Sequence, residues 1–448
     1  MTEDEPLAIG DRVVALAGPG EQVEAVVTHG LDTEIRAYDG EVESLSSAAS
    51  AGVGVRVVAD GRQGFAWAGT FDDDVLVETL AEARDNAAFG TVDEHLGLAE
   101  PDGVAPADLD LFRTDAAEVP TDAKVALAIE LERAVLGADA RISGIESAEY
   151  VDVLARSGVV TTTGIRHATS ETACYLAAYA LAGDEADTQT GFGFSLGRPP
   201  DELDVDVVAA DAARRATRLL GATQPPSGRT TLVLDPWVTA QLLGIIGSTL
   251  SGEAVLKGRS VFGDRLGEQV AAEGITLVDD PTRPEAFTAT TVDGEGLATR
   301  RNLLIEDGQL RTFVHNAYTA RRAGTASTGS AVRSFKRTPG VGCMALALTP
   351  GTRSQAELIA SIDHGILVTD VAGLHSGVNP VSGDFSTGAE GLDITDGQLG
   401  QPRREFTIAS TLQRMLLDVV EVGADLVWLP MSAAGVSLVL RDVTVSGS

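Results

Sequence analysis

The chain has 448 residues, 44% of them hydrophobic, and a net charge of −33 from 66 acidic and 33 basic side chains. That length exceeds one ordinary core, so two domains are expected, and so acidic a surface repels both phosphate backbones and anionic bilayers. No run approaches the ~18 apolar residues of a membrane-spanning helix, and Met1 to Pro6 is acidic where a signal peptide is basic and then apolar. A cytoplasmic protein without nucleic acid or membrane partners is expected.

Residues 24–70 carry three strand-like runs separated by Asp39-Gly40 and Asp60-Gly61, the dipeptide that best supports a tight hairpin. The run Gly52 to Val58 reads as a well-buried strand. Asp72 to Phe89 predicts an amphipathic helix with Leu76, Leu80, Ala83 and Ala87 on one face. Thr121, as N-cap, starts a second helix to Leu136, with Gly137 just beyond its end. Strand-like alternation fills 142–197, and Asp204 to Leu220 predicts a third helix.

Thr223 to Gly228 is the clearest linker. It divides residues 1–222 from a β-rich domain at 228–448. Thr231 to Leu234 then predicts a strand running into Asp235-Pro236, a matched N-cap and first helical residue, and a helix to about Leu250. Asp307-Gly308 and Asp396-Gly397 mark further hairpins, and helices are expected over Ser354–His364 and Ala409–Val419. Strands that come in hairpins, without β-α-β crossovers, define an α+β fold with antiparallel sheets.

Chemistry is harder to find. Gly193-Phe194-Ser195-Leu196-Gly197 spells a G-x-S-x-G nucleophile elbow, but polar residues precede it and Pro199-Pro200 follows it, where a strand-to-helix turn is required. It is read as a chance match. No phosphate-cradling glycine loop occurs. Cys174 and Cys343 are too few for a disulfide framework and are expected as small buried hydrophobes. The six histidines are separated by 66, 72, 148, 49 and 11 residues, with no local zinc motif. Asp279-Asp280 is expected in a solvated turn that starts at Pro281.

Several strings in order resemble the PmbA/TldD family of peptidase subunits: Asp39 to Glu43, Gly54 to Val58, Asp60 to Ala66, Lys257 to Phe262 with Gly267 to Val270, Asn302 to Gly308, and Thr328 to Arg333. Val378 to Ser386 is more similar to the PmbA (TldE) branch. In the TldD branch a helix upstream of the K-G-x-S-V-F string carries H-E-x-x-x-H, two zinc ligands and a general base, and a late cysteine supplies a third ligand. By that spacing the resemblance puts the helix positions on Leu243, Gly244 and Ser248, and no cysteine follows Cys343. Leucine has no lone pair, glycine no side chain, and serine is a poor zinc ligand.

The resemblance therefore implies a non-catalytic subunit without cofactor. Zinc is expected on a TldD-like partner, and unfolded peptide as substrate of the pair; a homodimer is possible for the isolated chain. Candidate chamber or interface residues are Lys257, Gly258, Ser260, Phe262, Asn379, Gly383, Asp384 and Phe385. Two other readings stay open. One is a free-standing peptidase using loop residues such as His315, His364 or His375, and the other is a peptide-binding scaffold with no proteolytic partner.

Overall fold

The structure is a computed structural model that describes residues 2, 4–184 and 186–448. Its first half is one antiparallel sheet of long strands: β1 (Gln22–Tyr38), β2 (Glu41–Ala59), β3 (Arg62–Ala68), β4 (Ile142–Thr161), β5 (Arg166–Ala182) and β6 (Gln189–Gly197), in the order β3-β2-β1-β4-β5-β6. The expected turns form at Asp39-Gly40 and Asp60-Gly61, where both residues take positive φ, the backbone a two-residue hairpin needs.

Alternation along β1 sorts the side chains. Val23, Ala25, Val27, Ile35 and Ala37 are buried on one face. There α1 (Glu5–Val14) and α2 (Asp73–Ala88) cover one end of the sheet. At the other end lie α4 (Thr121–Ala138) and α5 (Val205–Thr217), with the single turn α3 (Thr114–Ala117) before them. Two helix ends differ in detail from expectation. Pro120 caps α4 and Thr121 is its first residue, while Gly137 lies inside the helix. Asp204 caps α5 by accepting from the Val207 N–H.

The opposite face of the sheet carries Glu24, Val26 and Arg56 and is buried against the second half. Phe335 lies so close to β2 that a Cβ on Gly52 would stand 2.0 Å from its ring, and one on Gly54 2.2 Å from its carbonyl oxygen. Glycine is required at both positions for this approach.

In the second half β7 (Gly228–Leu234) leads through Asp235, which accepts from the Trp237 N–H, into α6 (Pro236–Thr249) and the short α7 (Gly252–Leu256). A small sheet follows, of β8 (Leu277–Asp279), β9 (Asn302–Glu306), β10 (Gln309–Leu310) and β13 (Leu346–Leu348), with α8 (Ala317–Ala323) and the pair β11 (Ala331–Val332) and β12 (Gly340–Val341) between. After α9 (Gln355–Ile359) come β14 (His364–Ala372), α10 (Leu374–Gly377), β15 (Asp384–Thr395), β16 (Gln398–Thr411), α11 (Leu412–Leu417), β17 (Val419–Val422) and β18 (Leu438–Ser446).

The large sheet runs β16-β15-β14-β7-β18-β17, and β16 also pairs with β18, closing a barrel around a core that includes Leu232, Leu243, Phe262 and Phe406. Pairing is antiparallel except between β7 and β14, which are parallel. The α+β class holds. The helices expected over Ser354–His364 and Ala409–Val419 are shorter than expected. His364 already begins β14 and Ala409 to Thr411 still belongs to β16, because barrel pairing outweighs the local helical pattern there.

Candidate functional site

The helix α6 carries the three positions that the resemblance singles out. Leu243 is fully buried in the barrel core. A Cβ on Gly244 would meet nothing within 4 Å. Ser248 is exposed, and its hydroxyl donates to the Ile245 carbonyl at 2.7 Å. The helix is thus buried along Val238, Leu242, Leu243 and Ile246 and open along Gly244 and Ser248. An apolar side chain, a bare Cα and one hydroxyl already engaged do not fit a zinc ion, which takes imidazole, thiolate or carboxylate.

Other expected residues scatter. His315 is buried with Nδ1 3.1 Å from Thr319 Oγ1, burial pushes its pKa down, and its ring sits where a Cβ on Gly252 would be. His364 and His375 are exposed in β14 and α10. Among the described residues no three His, Cys, Asp or Glu side chains converge as metal ligands. Ser195 lies within strand β6, its hydroxyl accepting from the Asp204 N–H, so the G-x-S-x-G string is not an elbow.

Of the chamber or interface candidates, Lys257 is exposed and ion-paired with Glu253, and Gly258 follows it with φ +63°. Ser260 accepts from the Phe262 N–H at 3.0 Å. Phe262 itself is a correction: it is fully buried in the barrel core, as Phe385 nearly is, so neither side chain lines a surface. Asn379 caps a tight turn by accepting from Val381 and Ser382, Gly383 continues it at φ +86°, and exposed Asp384 accepts from the Ser382 hydroxyl.

Asp279 is a second correction. It is no solvated turn residue; it is wholly buried, one oxygen accepting from Met344 and Ala345, and burial raises its pKa to about 6. Asp280 does hold the turn, accepting from Thr282. Cys174 matches expectation as a buried thiol, pushed up to about 12 chiefly by burial, and burial likewise pushes Cys343 well up, its Sγ lying against the Gly247 carbonyl.

Sequence reasoning missed the ionic cluster that joins the two halves. Arg56 on β2 donates to both oxygens of Glu24 on β1, at 3.0 and 2.8 Å, and reaches Glu295 of the second half at 3.3 Å. Arg333 closes the cluster on Glu24, and Glu295 also accepts from the Ala317 N–H at the start of α8. Burial alone would raise the Glu24 carboxyl, yet Arg56 and Arg333 together hold it below the usual range. Beside them Asp293 accepts from Glu295, Leu297 and Ala331, and burial and the Glu295 charge raise it to about 7. The available signal was an arginine inside the apolar run Gly52 to Val58, since a buried charge demands a partner.

A long antiparallel sheet clasped through buried ion pairs to a second half built on a closed barrel defines a two-part scaffold, in which Trp237 at the start of α6 packs against Phe192 and Phe194 of β6. Family comparison makes the assignment specific. Residues 23–87 match the PmbA/TldA metallopeptidase domain 1, 114–220 the central domain and 227–447 the C-terminal domain. The chain belongs to this family. It is 26% identical to the metalloprotease PmbA of Escherichia coli O157:H7, over 98% of this chain and 95% of that protein. It is 28% identical to a metalloprotease of Methanothermobacter thermautotrophicus, over 86% and 84%. Among solved structures, a Thermotoga maritima protein superposes with TM-score 0.90 at 25% identity, over 98% of this chain and 99% of that one. TldE from Thermococcus kodakarensis shares the fold with TM-score 0.89 at 23% identity, over the same shares.

Proposed function

We propose that this chain is the metal-free, non-catalytic subunit of a two-component peptidase, paired with a TldD-type zinc-bearing subunit and enclosing with it a chamber for unfolded peptides. The observation that carries the reading is α6, where Leu243 is turned into the core, Gly244 is bare and Ser248 is bound to its own helix. No residue there can hold an ion that would lower the pKa of water from about 15.7 toward 7, and no carboxylate stands in for the general base. The chain's part is to shape the chamber and to support the partner.

The test is reconstitution. The purified chain, a TldD-type subunit bearing H-E-x-x-x-H, and their mixture are each assayed on an unstructured peptide. Hydrolysis by the mixture well above the sum of the parts, lost on changing the partner's motif, is expected. Chelator-sensitive hydrolysis by this chain alone would overturn the reading in favour of a free-standing peptidase, and an inert mixture would favour a scaffold.

A further inference from the structure

Directly opposed residues of neighbouring antiparallel strands share a sheet face. Glu34, Val151, Tyr175 and Leu196 form one such row across β1, β4, β5 and β6, and Arg36, Glu149, Ala177 and Phe194 form the next. Both rows lie opposite the helices. Gly191 and Gly193 of β6 meet the backbone of α5, so Phe192, Phe194 and Leu196 point the other way. Near Glu24 and Val26 this face is sealed by the second half, but farther out Val151, Tyr175, Phe194 and Leu196 are only half-buried.

Phe194 and Leu196 run into a cleft of ≈ 320 Å³ whose far wall is Phe287, Val427 and Trp428 of the second half. At its base Arg198 donates to the Thr172 and Ala286 carbonyls, at 3.1 and 3.4 Å, tying the two walls together with two of its donors. Of the two rim carboxylates, Glu202 accepts from the Arg198 N–H at 2.9 Å and lies 3.9 Å from the Arg113 guanidinium, while exposed Glu285 faces solvent.

We propose that this cleft is a subsite for an extended peptide, seating one large apolar or aromatic side chain with a neighbouring cationic residue against Glu285. The occupant follows from charge and size. The volume is at the small end for ligand sites, about 300–1,000 Å³, and suits one side chain with its backbone. Glu285 at an apolar mouth, on a chain of net charge −33, attracts a cation and repels an acidic segment. The proposal rests on the peptide reading above, and it assigns the recognition to this chain and not to the metal-bearing subunit.

The test is fluorescence anisotropy of the full chain with a labelled ten-residue Ala/Ser peptide bearing a central Phe-Lys pair. The peptide is expected to bind, with affinity falling about tenfold when its Phe becomes Ser. Glu285→Lys, an exposed change that leaves the core untouched, is expected to weaken the Phe-Lys peptide several-fold and to strengthen a Phe-Glu version. Leu196→Glu is expected to abolish both. Absence of binding, or binding indifferent to the peptide's Phe and to Glu285→Lys, overturns the proposal, as does loss of partner assembly by these variants without any peptide binding, which would make the face a subunit contact. The outcomes separate from those of the subunit reading: an active reconstituted pair unaffected by both variants removes the cleft alone, and charge-swapped peptide binding with an inert pair removes the subunit role alone.

Discussion

Asp279 hangs one carboxylate oxygen on two backbone N–H groups in a wholly buried site. Its folded pKa of about 6 lies above the ordinary 3.8, so the folded chain binds the proton more tightly, and this group's contribution to stability falls as pH rises from about 4 through 6. Asp279→Asn keeps both accepted bonds and removes the charge. It is expected to match the parent near pH 4 and to exceed it by about 2–3 kcal/mol at pH 8, read from urea unfolding at both pH values; parallel profiles would contradict this. Arg56 is the opposite case, since its removal leaves Glu295 buried without its cation and Glu24 with Arg333 alone. Arg56→Ala is expected to cost ~3–5 kcal/mol and to loosen the two halves, seen as lowered Tm and faster proteolysis within residues 295–335. The burial of Asp279 was not legible beforehand, since it looks like half of an acidic turn; that of Arg56 was signalled by its apolar run, but its partner Glu295 was not, standing 239 residues away.

Elements were legible where their chemistry is local. Asp-Gly pairs fix hairpins at Asp39, Asp60, Asp307 and Asp396, each with positive φ at both residues, and Asp235-Pro236 starts α6 as expected. The pattern misled at Ser354–His364 and Ala409–Val419, where distant barrel strands claim the chain, and at Phe262, whose family-like string says nothing of burial. The character of α6 supports its own prediction. Restoring the missing side chains with Leu243→His, Gly244→Glu and Ser248→His is expected to leave zinc below stoichiometry, because the first falls among apolar core residues and no late cysteine follows Cys343. The buried Leu→His change is expected to cost ~2–4 kcal/mol. Elemental analysis and thermal melting read both; one tightly held zinc per triple variant would show that the site is merely unfilled.

At the scale of the molecule, the two halves meet on the helix-free sheet face, near Glu24 through ionic and glycine-dependent contacts and, farther out, across an open cleft. That division was invisible in the sequence, because the cleft unites β6 with loops at 284–287 and 427–428. Family membership was legible in ordered strings spread over the chain, whereas the expectation about zinc ligands rested on three positions of one helix. The claim on which the account turns is that this chain offers no place for a divalent metal. Zinc titration of the purified, metal-stripped chain, followed calorimetrically and by elemental analysis after dialysis, tests it most directly. No saturable binding and well under one zinc per chain is the expected result. One tightly bound zinc per chain, with chelator-sensitive peptide hydrolysis in the absence of any partner, would contradict it.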